Sequence, residues 1–542
     1  MRKGVFWVEL RFYVNDISSI LQTSYSAQRA TNVKENIKQF SSLQVLPHQY
    51  PRRGTSISQT MTTSLRVLKS ASLLLGMQLV QRGLGIISTL ILARLLLPEH
   101  FGVVALVIIA LQFFELLVEI GNRQYIIQKT EVTEADLNTA WSMDIAIKST
   151  MFVLILLLGP FLADFFETPE LTTALAVSAI TLPLRALKNP GIMLLAREIN
   201  YRPIFQLTLW QKGLSFIVVI AWAFTSPSHW AIISGTVVSG LVFTIGSYRV
   251  HNFRPRWTLV HFRQQWQFSQ WLLFRGIVGF TRSQIDNLMV SRLFGTAQLG
   301  GYNLVREVSL LPALSAIIPM SEPLLAAISE SKADRQALAY RIRLSLALMV
   351  TVLTPITAFI MLYPELIIRV LLGPDWSEFA PLLEPFGLFF FTFCLFALIS
   401  DAIIAQGKVK LLFWFDVIST VMIIATLWLT ATGGLEIMAW VRGWLAVATT
   451  IALLLILEQQ TGFSLIKLLF LCVPTLAGTS LAIAVIQSLD LSGSHYLVQF
   501  LMLGTLHVAI AAISTGVIGF FLLRGTEEWG QLRYLVIQTR GK

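Results

Sequence analysis

The sequence predicts an all-α polytopic membrane protein, and three observations support this fold class. Hydrophobic residues make up 55% of the 542 residues and charged residues only 13%, with a mean hydropathy of +0.69; charged residues form about 25% of an ordinary soluble domain. Apolar runs of the ~20 residues needed to cross a bilayer recur from Lys69 to Arg524. Short breaks rich in turn residues, such as LPEHFG and TATGG, separate these runs.

The apolar runs divide into about fourteen predicted spanning helices. Their predicted bounds are 70–95, 101–122, 138–163, 170–195, 204–224, 228–249, 268–293, 299–328, 338–363, 379–404, 410–431, 435–457, 465–488 and 496–523.

Cationic residues concentrate in alternate breaks between the predicted helices. Arg249, Arg254 and Arg256 lie in one such break, whereas the break ADFFETPE carries only acids. Because cytoplasmic loops are enriched in lysine and arginine, we predict that both termini lie in the cytoplasm. Termini on the same side require an even number of helices, which fourteen satisfies. The net charge of +11 is then a feature of membrane topology, and no nucleic-acid partner is predicted.

Residues 1–66 differ from the rest of the chain because they are polar and show no sustained apolar period. We predict that they form a cytoplasmic tail. A signal peptide is not favoured, since Glu9 and Arg11 interrupt the opening apolar stretch and no small-residue cleavage site follows. The alternative to a tail is that translation begins at Met61, where MTTSLRVLKSASLLLG makes an ordinary start for a membrane protein.

Two segments of the chain resemble each other at an offset of 198 residues. LILARLLLPEHFGVVALV (90–107) aligns with LMVSRLFGTAQLGGYNLV (288–305), which places Arg94 on Arg292 and Gly102 on Gly300. We predict two parallel six-helix halves, 67–263 and 264–459, followed by an extra helix pair and a short tail over 460–542. Parallel repeats are a common transporter plan with the substrate cavity between the halves; the alternative is chance similarity between apolar helices.

Ionisable residues recur inside the predicted spans, where each costs from ~3 kcal/mol upward and should face a cavity or a partner. Arg185 and Lys188 lie between two prolines, Pro183 and Pro190, where an irregular helix is tolerated if it lines a cavity. A surplus of guanidinium groups in a water-filled cavity suits an anionic ligand, above all a phosphate. The alternative is that these charges pair between helices and only fix the packing.

The candidate ligand-binding residues are Arg82, Arg185, Lys188, Arg275, Arg282 and Arg306. The candidate ion-coupling or gating residues are Glu115, Glu119, Asp144 and Asp286. Arg282 and Asp286 stand four residues apart on one helix face, a spacing that favours an ion pair. We predict that Asp286 holds Arg282 until an anionic ligand displaces it. Cys394 and Cys472 lie inside apolar runs, so neither a metal site nor a disulfide framework is predicted.

Three quoted segments resemble a known family: LILARLLLPEHFGVVALV, SQIDNLMVSRLFGTAQLGGYNLVREV and PGIMLLAREINYRPIF. They are similar to the polysaccharide-export flippases of the Wzx type, in particular the colanic-acid and teichuronic-acid exporter branch. That family belongs to the multidrug/oligosaccharidyl-lipid/polysaccharide superfamily, with the drug and toxic-compound extrusion transporters and the lipid II flippases. The resemblance covers about residues 64 to 525.

The resemblance implies a V-shaped bundle of two six-helix lobes in a bacterial inner membrane, alternating between inward-open and outward-open states. It implies a polyprenyl-pyrophosphate-linked oligosaccharide as cargo, moved to the outer leaflet among membrane lipids, with polysaccharide polymerase or export proteins as partners. The resemblance implies that four arginines of this chain occupy the cationic cavity positions of the family. These residues are Arg82, Arg275, Arg282 and Arg306. Neither the resemblance nor the residues decide between a proton, sodium or the membrane potential as the driving force.

Two other functions compete with this interpretation. A drug or cation antiporter shares the fold, but its cavity should be richer in acids and aromatics than in arginine. A membrane glycosyltransferase or polymerase should carry a large extracytoplasmic loop with catalytic residues, whereas the predicted outer loops are a few residues long. No phosphate-binding glycine loop or metal-ligand motif is present in the sequence. The sequence therefore predicts a transporter that is not an enzyme and uses no cofactor.

Overall fold

The computed structural model describes residues 57–118, 126, 129, 132–198, 200–331, 334–488, 495–526 and 530, but not the side chains of 57–72, 74, 75, 263–275, 320, 322, 326 and 327. The chain divides into two units, Met1–Leu65 and Arg66–Lys542. Of the first unit only 57–65 is described, and it is helical. The predicted tail therefore lies almost entirely outside the described residues. All contacts below belong to the second unit.

Every regular element in the described part of the chain is a helix. A π-helical turn occupies Ala313–Ile317, and 3₁₀ turns occupy Pro374–Leu382 and Ala431–Gly433. The helices are α1 (Ile57–Ala93), α2 (Pro98–Val118), α3 (Glu134–Phe165), α4 (Glu170–Ala179), α5 (Thr181–Ala186), α6 (Ile192–Arg197), α7 (Arg202–Thr225), α8 (Trp230–Val250), α9 (Phe262–Phe294), α10 (Thr296–Pro312), α11 (Ile318–Glu330), α12 (Arg335–Leu362), α13 (Pro364–Leu371), α14 (Leu383–Ala405), α15 (Val409–Thr430), α16 (Leu435–Thr461), α17 (Leu465–Gln487) and α18 (Tyr496–Leu522).

Eleven helices of the described residues are long and apolar enough to cross a membrane. Large apolar side chains remain exposed on them, as at Phe161 (68%) and Ile466 (80%). Apolar surface of this extent marks contact with lipid rather than with water. The predicted polytopic, all-helical membrane protein is confirmed, while the count of fourteen spans stays a prediction.

The predicted span 170–195 is broken into α4, α5 and part of α6. Proline has no N–H to donate and disfavours a helical residue before it, which explains the irregular segment between Pro183 and Pro190. Asn189 stabilises this segment, because its Nδ2 donates to the carbonyl oxygens of His251 and Phe253, both at 2.8 Å. The single continuous span predicted over 170–195 is therefore wrong, and its interruptions lie around the two prolines.

An extended segment after α8 leads from the first half of the chain into the second. Its backbone N–H groups find acceptors on α3: Arg256 donates to Asn138 Oδ1 at 2.8 Å and Thr258 to Ser142 Oγ at 2.9 Å. Unpaired backbone groups are costly away from water, so these polar side chains hold the connection along α3.

The two segments that resemble each other meet where α2 and α10 begin. A Cβ atom at Gly102 would lie 1.9 Å from the Thr296 carbonyl oxygen, and one at Gly300 would lie 1.9 Å from the Pro98 carbonyl oxygen. The two contacts are equivalent in the repeat, because Gly102 aligns with Gly300 and Pro98 aligns with Thr296 at the offset of 198 residues. Only glycine allows this approach of the two backbones.

Two arginines make contacts beside this glycine pair. Arg94 donates from Nη2 to the Val370 carbonyl oxygen at 2.9 Å, so a residue of the first half reaches the second. Arg292, its counterpart in the second half, pairs with Glu167 of the first half. Trp376, which is fully buried, donates from Nε1 to the Ala93 carbonyl oxygen at 2.6 Å. Side chains of each half are thus held by the other half near the starts of α2 and α10.

The last two helices, α17 and α18, pack on each other and on α12. Ser514 Oγ donates to the Gly478 carbonyl oxygen at 3.0 Å, and the Thr351 and Thr475 hydroxyls lie 3.1 Å apart. His507 is fully buried and lies 3.0 Å from the Pro355 carbonyl oxygen through Nε2. These polar contacts fix the helix pair against the second half.

Candidate functional site

A cavity of about 230 Å³ lies among α9, α10, α14, α15 and α16, within the second half of the chain. Three arginines, one carboxylate and three phenylalanine rings are prominent in its lining. These residues are Arg282, Arg306, Arg442, Asp416, Phe389, Phe393 and Phe396. We call Arg282, Arg306, Arg442, Asp416 and the adjoining Asp286 the second-half cluster.

Asp286 is the buried centre of the second-half cluster. Its side chain is 0% exposed and accepts from Arg306 Nη1 and Arg442 Nε, both at 3.3 Å. The hydroxyl of the equally buried Tyr302 donates to Asp286 Oδ2 at 3.2 Å. Two guanidinium groups on different helices therefore share one carboxylate, which ties α9 to α10 and α16.

Arg282 pairs with Asp416 of α15, Nη1 to Oδ1 at 2.5 Å, and not with Asp286. The predicted Arg282–Asp286 pair is therefore wrong. The two residues share a helix face, but the structure gives Asp286 two guanidinium partners from α10 and α16 and directs Arg282 toward α15. Spacing along one helix identified both charges and missed the partners that tertiary packing supplies.

Aromatic rings support the three arginines of the second-half cluster. The Arg282 guanidinium carbon lies 3.9 Å from the Phe396 ring centre, and those of Arg306 and Arg442 lie 5.1 and 4.7 Å from the Phe389 ring centre. A guanidinium stacked on a ring keeps its N–H edges available for a carboxylate or phosphate. Counted over its five members, the cluster has three guanidinium groups and two carboxylates, and this excess of cations favours an anionic ligand.

A second charged group lies in the first half of the chain. Arg185, on the short helix α5, pairs with Glu115 of α2; their side chains are 45% and 38% exposed. Lys212 of α7 is close enough to Arg185 for the two positive charges to repel. These three residues form the first-half cluster, which also carries one net positive charge.

The remaining candidates are scattered. Nη1 of Arg82 is buried and makes no hydrogen bond, while Lys188 is half-buried just after α5. Asp144 pairs with Lys148 at 3.1 Å within α3. Glu119 and the side chain of Arg275 lie outside the described residues.

The structure thus brings Arg282, Arg306 and Asp286 into one cluster and places Arg185 with Glu115 in another. Sequence reasoning missed four members or neighbours of these clusters. A signal was present, since three of the four are charged residues inside apolar runs. The missed residues are Lys212, Tyr302, Asp416 and Arg442.

A separate cavity of about 190 Å³ lies between α1 and α10. Apolar side chains such as Ile86, Leu304 and Leu311 form most of its lining, together with Gly85, Thr89 and one carboxylate, Glu307. We call this cavity the α1–α10 gap. Because α1 belongs to the first half and α10 to the second, the gap lies between the halves.

The fold and the site together define a class of protein. It is a helical membrane protein with cationic clusters among its helices. The chain belongs to the family described as polysaccharide biosynthesis protein, which it matches over residues 91–381. This membership confirms the resemblance to polysaccharide-export proteins.

Two relatives agree with the family, and a solved structure agrees with the fold. The succinoglycan biosynthesis transport protein ExoT of Rhizobium meliloti (strain 1021) is 24% identical over 475 residues, covering 85% of this chain and 93% of that protein. The lipopolysaccharide biosynthesis protein WzxC of Escherichia coli (strain K12) is 20% identical over 353 residues, covering 63% and 70%. The lipid II flippase MurJ in an inward closed conformation matches the fold with a TM-score of 0.64 at 15% identity, covering 83% of this chain and 99% of that structure.

Proposed function

We propose that this chain is a flippase that moves a polyprenyl-pyrophosphate-linked oligosaccharide from the cytoplasmic to the outer leaflet by alternating access. The observation that carries the proposal is the second-half cluster, a net-cationic group of arginines among helices of a polysaccharide biosynthesis protein. The names of its relatives agree with this function, because ExoT is a biosynthesis transport protein and WzxC a lipopolysaccharide biosynthesis protein.

The charge of the two clusters suits such a cargo. A pyrophosphate and a sugar chain cannot leave water for hydrocarbon unless other polar groups replace their hydration. Arginine binds phosphate oxygens with two parallel N–H donors, and the two clusters each carry a surplus positive charge. We assign Arg282, Arg306 and Arg442, together with Arg82, Arg185, Lys188 and Arg275, to cargo binding.

The polyprenyl tail has a path that avoids the cavity. The α1–α10 gap is mostly apolar and lies beside the cluster that contains Arg306. A hydrocarbon tail in the gap would stay in contact with apolar side chains while the head group occupies the polar cavity. This division of the cargo supports a flippase rather than an exporter of soluble molecules.

We further propose that the transport machinery is two six-helix lobes, 67–263 and 264–459, with an extra pair over 460–542, in a bacterial inner membrane. The glycine contacts at Gly102 and Gly300 support this arrangement, because they obey the offset of the sequence match. The protein would act without enzymatic chemistry or cofactor, beside polymerase or export proteins. An ion gradient or the membrane potential, worth ~2.3 kcal/mol per charge per 100 mV, would reset the empty carrier.

A reconstituted system tests the function. Vesicles containing the purified full chain and a fluorescently labelled polyprenyl-pyrophosphate disaccharide are treated with an impermeant quencher. We expect protein-dependent movement of the label between leaflets, since the cavity lowers the cost of carrying the head group through the bilayer. Vesicles with heat-inactivated protein provide the control. Movement at the rate of empty vesicles, together with uptake of a cationic dye, would instead support a drug antiporter.

The proposed topology has fourteen spans with both termini in the cytoplasm, because cations concentrate in alternate loops. Reporter fusions at Phe166, Ser228, Gly433 and Ser494 are expected to report an outside location. Fusions at Arg254, Ser331 and Lys542 are expected to report an inside location. An outside signal at Arg254 would contradict this topology.

A further inference from the structure

Glu307 differs from the predicted coupling residues in its surroundings, because no salt bridge to it is formed by the residues that the structure describes. Glu115, Asp144 and Asp286 each lie within salt-bridge distance of a lysine or arginine. Among the described residues, the Glu307 carboxylate contacts Asn303, whose Nδ2 donates to Oε1 at 3.3 Å, and no cation lies within salt-bridge distance. A proton can therefore bind Glu307 without first breaking an ion pair.

The surroundings of Glu307 make its charge state important. It lines the α1–α10 gap, where α1 contributes Gly85, Ile86, Thr89 and Leu90, none of them ionisable. Its neighbour Arg306 acts on Glu307 through its charge but forms no salt bridge with it, because the guanidinium group binds Asp286 and the Ser283 carbonyl oxygen. Among the described residues that line the gap, Glu307 is the one that can change charge.

A chain of side-chain amides connects Glu307 to the first half of the protein. Gln284 Nε2 on α9 donates to Gln112 Oε1 on α2 at 3.2 Å. Asn287 Nδ2 donates to Gln284 Oε1 at 2.9 Å and to Asn303 Oδ1 at 3.3 Å. Asn303 Nδ2 completes the path to Glu307. We call these residues the amide ladder; it joins α2, α9 and α10 across the boundary between the halves.

We propose that Glu307 takes up and releases a proton in the α1–α10 gap, and that its protonation state sets whether the amide ladder holds α10 to α9 and α2. An ionised carboxylate can only accept hydrogen bonds, whereas the neutral acid also has an O–H to donate. The proton comes from water and binds a carboxylate oxygen; no other covalent bond changes. The new O–H would donate to Asn303 Oδ1, which already accepts from Asn287 at 3.3 Å; sharing this acceptor would weaken the bond from Asn287 and so loosen α10.

This inference rests on the proposed alternating access and names a residue that couples it to protons. Asp286, predicted as a coupling residue, fits the role less well because a proton there would have to displace two guanidinium groups. In the state described, Glu307 accepts from Asn303 and the ladder is intact, while the starts of α2 and α10 are in contact. We therefore infer that deprotonated Glu307 favours this contact and that protonation favours its opening.

Pulsed electron spin resonance on the full chain tests the proposal without any cargo. Spin labels at Leu97 and Leu293, which are 60% and 42% exposed, report the separation near the starts of α2 and α10. Cys394 and Cys472 are replaced by alanine so that only these sites react. Between about pH 8.5 and pH 5.5 we expect the ratio of long to short distances to rise about threefold or more, as a two-state equilibrium shifts.

Variants separate Glu307 from other titrating groups. Glu307→Gln, which can donate at any pH, is expected to show the long distance at both pH values, while Glu307→Asp should keep the pH response. Glu330→Gln, at the end of α11 and 75% exposed, is the matched control and should respond like the parent chain. Asn303→Leu should abolish the response by cutting the ladder.

The inference is overturned if the parent chain shows no pH response, or if the response survives in Glu307→Gln and so belongs to another group such as a histidine. Because no cargo is present, these outcomes do not depend on the proposed function. A normal pH response in a protein that moves no labelled polyprenyl-pyrophosphate disaccharide would contradict the proposed function and leave the role of Glu307 intact.

Discussion

Replacing Asp286 by asparagine is expected to destabilise the protein by about 3–5 kcal/mol, the cost of removing one partner of a buried ion pair. Asp286 is fully buried, and its carboxylate is the shared acceptor for Arg306, Arg442 and Tyr302. The variant keeps the shape of the side chain but leaves two guanidinium groups without their counter-charge. Thermal unfolding in nanodiscs, followed by tryptophan fluorescence, measures the effect as a fall of the melting temperature by several degrees.

Glu115→Gln is the matched control for Asp286→Asn. It makes the same change from carboxylate to amide, but the Glu115–Arg185 pair is partly exposed, and exposed pairs contribute about 0–1 kcal/mol. A small shift for Glu115→Gln and a large one for Asp286→Asn are expected. Equal shifts in the two variants would show that Asp286 does not hold the helices of the second-half cluster together.

Replacing Arg282 by alanine is expected to reduce the movement of labelled polyprenyl-pyrophosphate disaccharide by about tenfold to a hundredfold, since a hydrogen bond to a charged group contributes roughly 1.5–3 kcal/mol. Arg282 lines the second-half cavity and stacks on Phe396, so its N–H groups are oriented before the anion arrives. Arg282→Lys should restore transport only in part, because an ammonium group keeps the charge but loses the two parallel donors. Rates in reconstituted vesicles, corrected for protein content, give the measurement.

The double variant Arg282→Ala/Asp416→Asn separates a loss of binding from a stranded charge. If the single variant fails only because Asp416 has lost the positive charge of Arg282, the double variant regains transport and a role of Arg282 in cargo binding is wrong. If Arg282 itself contacts the anion, both variants are equally slow. Arg341→Ala, whose side chain is 39% exposed and pairs with Glu330, is the matched control and should transport normally.

Helix positions were predictable wherever an uninterrupted run of apolar residues is long enough to span the bilayer. The predicted span 410–431 corresponds to Val409–Thr430, and 496–523 corresponds to Tyr496–Leu522. Prediction was less successful where backbone irregularity interrupts the run, as at Ala313–Ile317, because the π-helical turn leaves little trace in hydropathy. Prolines at Pro183 and Pro190 did give a usable signal for the other irregular segment.

The charged residues of the site were easier to predict than the residues with which they form ion pairs. An arginine inside an apolar run is conspicuous, which is why Arg282 and Arg306 were found from composition alone. The partner of Arg282, however, is Asp416 on another helix, 134 residues away along the chain. The periodicity of one helix places side chains on its own faces and contains no information on which neighbouring helix meets that face. Arg442 and Asp416 were therefore not among the predicted site residues.

The glycine contacts at the starts of α2 and α10 determine how the approach of these two helices responds to pH and salt. The atoms that meet are main-chain atoms, at Gly102 against Thr296 and at Gly300 against Pro98. The atoms that meet carry no charge and belong to no side chain, so the distance of closest approach is set by main-chain contact and not by rotamer choice. Any sensitivity of closure to the medium has to enter through charged neighbours such as Arg94 and Arg292, or from a distance through Glu307. The backbone thus sets how closely the two helices approach, and the charges set how often they do so.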